Sequence, residues 1–172
     1  VELKSGAMVY IYPDRERPLI DLSVNIRGGS YLDPKGKEGL ADLTGYLMAR
    51  GGIPSSPADE LDEELEFLAA RLSSNFGGLS GSVDLNLLSK DADRGFEILR
   101  AVLAAPSFQD DKLTLRKTQE LQALKQRNDD SRNIESRERN FLAYGEAFWF
   151  NRHTTAASLE SIRREDLLAF HH

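Results

Sequence analysis

The sequence predicts an α+β fold: a mixed or antiparallel β-sheet with helices packed on one face. Three observations carry this. Two segments, Leu19–Arg27 and Leu79–Leu87, alternate apolar and polar residues as half-buried strands do. A Gly77-Gly78 pair between Leu72–Phe76 and the second of them reads as a hairpin. The remaining apolar residues recur at helical spacing, in pairs and runs of helices between and after the strands.

In chain order, Ala7–Pro13 (AMVYIYP) reads as a first strand, Asp14–Pro18 as a turn and Leu19–Arg27 as a second strand, with Ile20, Leu22, Val24 and Ile26 on one face. A helix opens after Gly39 and stops at Gly51-Gly52, where glycine ends helices readily. Ser56 as cap and Pro57 at the first helical position open the next, which turns Leu61, Leu65 and Leu68 inward. Leu72–Phe76 is a short strand. Leu79–Leu87 follows, with Leu79, Gly81, Val83, Leu85 and Leu87 on one face. Asp91 caps a helix carrying Phe96, Leu99, Val102 and Leu103, which ends before Pro106. A long helix spans about Gln109–Asn128 with Leu113, Leu121 and Leu124 inward, and Arg127–Arg132 is its polar end and loop. Two more helices cover Ile134–Tyr144 and Ser158–Phe170, with Ser158 and Ser161 as caps. No internal repeat or low-complexity tract interrupts the 172 residues, so residues 1–172 read as one domain.

Composition narrows the function classes. Hydrophobic residues make up 40% and charged residues 29%, the balance of a soluble globular domain. A net charge of −6 gives no basic footprint for nucleic acid or an anionic membrane, so neither is expected as a partner. The acidic run Asp59–Glu66 is a solvated helix face. With no cysteine, thiol catalysis, disulfides and thiolate metal sites are excluded, while the compartment, cytoplasmic or periplasmic, stays open. No apolar run reaches membrane-spanning length. A start at Val1 suggests a piece of a longer protein of two or more domains, and the closing His171-His172 reads as native or as the stub of a tag.

The stretch 39–52, GLADLTGYLMARGG, carries the functional signal. Asp42 and Tyr46, four apart on a helix, project together with Gly45 beside them. Histidines at those two positions would hold zinc and a glutamate between them would activate its water. In this chain they are Asp, Gly and Tyr. Together with GAMVYIYPDRERPLIDLSVNIRGGSYLDPKGKEGLA, SGSVDLNLLSKDADRGFEILRAVLAAPSFQDDKL and YGEAFWFNRHTTAASLESIRREDLLAFHH, the stretch resembles the N-terminal domain of the pitrilysin/insulinase-type metallopeptidases. These carry the inverted zinc motif H-x-x-E-H. The likeness spans essentially the whole chain and implies a metallopeptidase-like fold of the LuxS and processing-peptidase type.

By this resemblance the first histidine falls on Asp42, the glutamate on Gly45 and the second histidine on Tyr46. The third ligand, a glutamate of a later long helix, lands by ungapped counting on Gln122 or Ala123. Every functional position therefore departs from the active pattern. One carboxylate, a glycine and a phenol are a poor zinc set, and a makeshift pair of Asp42 with Glu120 lacks a third donor. The expectation is a bacterial, non-catalytic domain with no cofactor. It would pair with a second peptidase-like domain or a zinc-bearing homologous subunit to form a peptide-handling chamber. The alternatives are a structural or assembly role, and a zinc protease whose active site lies in another domain.

The resemblance also places Ser73, Ser74, Asn75 and Phe76 at the sheet edge where an extended peptide adds as a strand, or which a partner domain covers. Phe76–Ser82 fits neither a phosphate loop nor a G-x-S-x-G elbow. His153 reads as a surface histidine. Tyr144, Phe148, Trp149 and Phe150 form either a partner-binding patch or a small satellite core.

Overall fold

A computed structural model describes every residue except 5, 15 and 130. Arg15 of the expected turn and Asp130 of the expected polar loop thus lie outside the described residues. The sheet has three antiparallel strands, β1 (Leu19–Arg27), β2 (Arg71–Phe76) and β3 (Ser80–Leu88), in the order β1-β3-β2. Register pairs Ile20 with Leu87, Leu22 with Leu85 and Val24 with Val83, so one face is apolar throughout. The other is a polar ladder in which Asp84 accepts from Ser23 at 2.6 Å and from Ser82 at 2.8 Å.

Seven helices follow or interleave among the described residues: α1 (Leu40–Arg50), α2 (Ala58–Phe67), α3 (Ala92–Ala104), α4 (Asp110–Gln126), α5 (Ser131–Tyr144), α6 (Ala156–Ser161) and α7 (Arg164–His171). The core lies between the sheet's apolar face and α1, α3 and α7. Leu43, Leu47 and Met48 of α1 meet Val83, Leu85 and Leu87 of β3, Ile98 and Val102 of α3, and Leu167 of α7. Burying such side chains is the main stabilising term, worth about 1.5–3 kcal/mol each.

Several expectations are corrected by this packing. Ala7–Pro13 is not a strand. Its first residues fold back on Val1–Leu3, with the Leu3 amide donating to Ala7 O at 2.8 Å and the Val9 amide to Val1 O at 2.7 Å, and Tyr10 and Tyr12 are exposed. Their strand propensity finds no apolar surface to cover. Leu79 is exposed because it sits in the hairpin loop before β3 starts. Phe96 is half exposed, and Gly95, Ile98, Leu99 and Val102 are the residues that α3 buries. Ser56 makes no cap: α2 begins after Pro57, and the Ala58 amide is held instead by Gln109 Oε1 at 2.8 Å. Asp91 flanks α3 without a side-chain cap bond. The C-terminal helix is two helices broken at Ile162. Thr155, not Ser158, caps the first, with Ser158 completing a capping box from the third position.

α6 and α7 brace the segment that leads into α1. Ser158, buried, donates to Glu38 O at 2.8 Å, Ser161 to Gly36 O at 3.0 Å, and Lys37 forms an ion pair with Asp166.

Candidate functional site

α1 is set by its first residues. Gly39, its N-cap, has φ 102°, and a side chain there would strike Thr154. Asp33, buried, accepts hydrogen bonds from the Gly39 amide at 2.9 Å and the Ala41 amide at 2.8 Å, supplying the capping carboxylate from outside the helix. Burial pushes the Asp33 pKa up, against these two bonds and the charge of Arg152. Arg152 in turn donates to Asp33 O at 3.0 Å.

From that start, α1 turns Leu43, Thr44, Leu47 and Met48 into the core and leaves Asp42 and Tyr46 on its outer face. Gly45 lies buried between them, against β2. A Cβ at this position would run into the Phe76 amide nitrogen and stand 2.9 Å from Phe76 Cδ2 and 3.0 Å from the Asn75 carbonyl carbon. Ser74 fixes the contact: its hydroxyl donates to Gly45 O and accepts from the Ala49 amide at 2.9 Å. The place a catalytic glutamate would need is therefore filled by the backbone of β2.

On the outer face, the Arg116 guanidinium of α4 lies 4.1 Å from the centre of the Tyr46 ring and forms an ion pair with Glu120 one turn further on. Although Asp42 keeps exposed surface, the walls around its carboxyl push its pKa up. Glu120 pushes the same way and Arg116 opposes it. Ala123 faces solvent, and the carboxylate of α4 whose charge acts on Asp42 is Glu120. Sequence reasoning missed Arg116, whose signal was its i,i+4 spacing to Glu120.

These residues do not fit the zinc ion that the H-x-x-E-H pattern implies. α1 offers one carboxylate, the Tyr46 ring is covered by a cation, and position 45 has no room for a base. Among the described residues, no group of three or more His, Cys, Asp or Glu side chains could hold a metal ion.

Ser73–Phe76 lie on β2, an edge strand. The Gly77 amide donates to Ser80 O at 2.8 Å, so by antiparallel alternation Asn75, Ser73 and Arg71 bond to β3. Leu72, Ser74 and Phe76 direct their backbone groups outward. Beside the end of this edge, a cleft of about 410 Å³ opens between the hairpin tip, the start of α1 and residues 149–154. Its lining includes Asp42, Phe76, Trp149 and His153. Trp149 packs edge-on to Tyr31, ring centres 6.2 Å apart, and reaches the hairpin at Gly78. The aromatic residues do form a satellite cluster, with Tyr144–Phe148 ring centres 5.2 Å apart and Phe148–Trp149 5.7 Å apart, but Tyr144, Phe148 and Phe150 keep exposed faces. His153 is exposed, its pKa lowered by burial and then by Arg127 and Arg137, and no hydrogen bond among the described residues joins it to a serine or carboxylate.

Comparison with known proteins identifies the fold and the family. The profile of the insulinase family (peptidase family M16) matches residues 10–147. Among solved structures, a peptidase M16 inactive domain from Pseudomonas fluorescens superposes with a TM-score of 0.82 at 23% identity, covering 92% of this chain and 39% of that one. The periplasmic protease PqqL from Escherichia coli gives 0.76 at 14% identity, covering 91% and 17%. A mutant of the ferredoxin protease FusC, in complex with Arabidopsis ferredoxin, gives 0.74 at 16% identity, covering 90% and 17%. At these identities the likeness is one of fold, and the chain spans well under half the length of each. No curated protein matches the sequence. The chain belongs to the insulinase family, peptidase family M16.

Proposed function

We propose that this is a non-catalytic peptidase-like domain that handles extended peptides at the free edge of β2 and works beside a second peptidase-like domain or a zinc-bearing homologous subunit. The observation that carries the reading is the contact of Gly45 with β2, which fills the space a general base would need, together with the outer edge of β2, which pairs with no other strand among the described residues. Strand addition uses backbone groups, so it survives the loss of metal ligands. The similar inactive domain of the Pseudomonas fluorescens structure and the ferredoxin-bound protease support the two halves of the reading. α5 buries none of its residues and leaves Ile134, Phe141, Leu142 and Tyr144 exposed, as a helix docked by another domain would.

Titrating extended peptides against the domain while following amide exchange tests the peptide half. Protection confined to Leu72, Ser74 and Phe76, lost when the peptide is N-methylated on alternate residues, is the expected result. No protection at β2 with any peptide of a mixed library would transfer the edge to a purely structural role, covered by the partner.

A further inference from the structure

The free edge of β2 stops at a capped turn. After Phe76 the chain reverses at Gly77-Gly78, and the Ser30 amide donates to Gly77 O at 2.9 Å and the Tyr31 amide to Gly78 O at 3.1 Å. Trp149 stands over this turn: a Cβ on Gly78 would lie 3.0 Å from its Cη2. A strand added to β2 has no edge to follow past Phe76 and enters the cleft of about 410 Å³ between Phe76, Trp149 and the start of α1. Antiparallel pairing, the arrangement of both existing strand pairs, puts the amino terminus of such a strand at that end. Two of the charged side chains lining the cleft are committed elsewhere. Asp33 accepts from the Gly39 and Ala41 amides, and Arg152 donates to Asp33 O and Tyr31 O. His153, its pKa lowered, carries little charge at neutral pH. The carboxylate left over is Asp42, which keeps exposed surface and makes no hydrogen bond or ion pair with any described residue. We propose that the cleft receives the amino-terminal residue of the bound peptide, its α-ammonium on Asp42 and its side chain against Trp149 and Phe150. The domain thus takes peptides by a free end rather than as internal segments of a protein. An ammonium in this setting gains from a charge-assisted hydrogen bond and from the aromatic walls together.

This inference rests on strand addition at β2, and its test tells the two apart. Trp149 is the only tryptophan of the sequence, so its fluorescence reports on the cleft itself. The probe is a tryptophan-free heptapeptide of alternating threonine and valine, with phenylalanine first and lysine last. It is used with a free amine, N-acetylated, and N-acetylated with lysine in first place. The free amine should shift the Trp149 emission saturably and bind about tenfold more tightly than its acetylated form, the size of one hydrogen bond to a charged group. Asp42→Asn, an isosteric change on the outer face of α1, should weaken binding of the free amine about tenfold and leave the acetylated peptide unaffected. Equal affinity for the two forms, or a preference that survives Asp42→Asn, would overturn the inference while strand addition stands. Binding of the acetylated lysine peptide as tight as that of the free amine would overturn it as well, by assigning the cleft to a side-chain ammonium. No binding of any of the three, by fluorescence or by amide exchange at β2, would remove strand addition itself and this inference with it.

Discussion

Gly45→Ala reverses the sign that local propensity predicts. At an exposed helix position, alanine for glycine stabilises by about 1 kcal/mol. At position 45 the added methyl meets the backbone of Phe76 and stands 3.0 Å from the Asn75 carbonyl carbon, neither of which can rotate away. α1 would have to lift from β2, a misfit costing about 1–3 kcal/mol. The lift would also stretch the two hydrogen bonds of the Ser74 hydroxyl, each worth about 0.5–1.5 kcal/mol. With the propensity gain subtracted, the variant should be about 2 kcal/mol less stable, lowering the melting temperature by about 4–8 °C in a domain of this size. Urea denaturation at pH 7 supplies the free energy, with an unchanged m-value confirming that only the folded state was affected. A variant as stable as the parent or more so would show that β2 does not close against α1, and the filled catalytic position would lose its support.

Other predictions concern charge and bracing. The folded pKa of Asp42 is raised, so its stabilising contribution is complete below the ordinary value of 3.8 and is lost as pH rises through the folded value. Asp42→Asn should therefore gain stability relative to the parent between pH 3 and pH 7; a gap independent of pH would refute the shift. Glu64 is the opposite case. Its bonds to Arg94, at 2.6 and 2.8 Å, lower its pKa from 4.5, so its contribution is present above that value and lost as pH falls through the folded one. Glu64→Gln should cost no more than about 1 kcal/mol at pH 7 for this part-exposed pair, and the cost should vanish under acid denaturation. Ser158→Ala removes a buried donor to Glu38 O and the hydroxyl that accepts from the Thr155 amide in the α6 capping box, and should cost about 1–3 kcal/mol by urea denaturation.

The elements legible in the sequence are those whose signal is local. β1 and β3 alternate cleanly because one sheet face is covered, and α1 was marked by its apolar spacing and closing glycines. Failures came where tertiary context decides. Phe96 has the right spacing for a core residue, but Ile98 takes the inward position. Tyr10 and Tyr12 have strand propensity without a sheet to join, and Ser158 looks like a cap but serves from inside the helix. The site divides the same way. Asp42, Gly45 and Tyr46 could be placed on one helix from spacing alone. That Gly45 touches Phe76, and that Arg116 covers Tyr46, depend on segments far apart in sequence, which no periodicity encodes. Ungapped counting leads to Gln122 or Ala123, whereas the α4 carboxylate whose charge acts on Asp42, Glu120, lies less than a turn from Ala123, because the approach of α4 to α1 is fixed by packing rather than by residue number.

These contacts decide what reconstruction of the H-x-x-E-H pattern would achieve. Asp42→His, Gly45→Glu and Tyr46→His together supply two imidazoles and a carboxylate on α1. The glutamate must then enter the space held by the Phe76 amide, a larger intrusion than the alanine methyl. The second histidine must displace Arg116, whose charge repels a divalent ion and whose partner Glu120 is the α4 carboxylate that acts on position 42. The triple variant should therefore be destabilised by more than Gly45→Ala and bind zinc weakly at most. Adding Arg116→Met should improve zinc affinity by freeing Glu120, while leaving the Gly45→Glu strain untouched. Calorimetric zinc titration of both variants separates the two obstacles. Tight binding by the triple variant alone would mean that Arg116 and β2 yield easily, and that ligand identity was the whole of the defect.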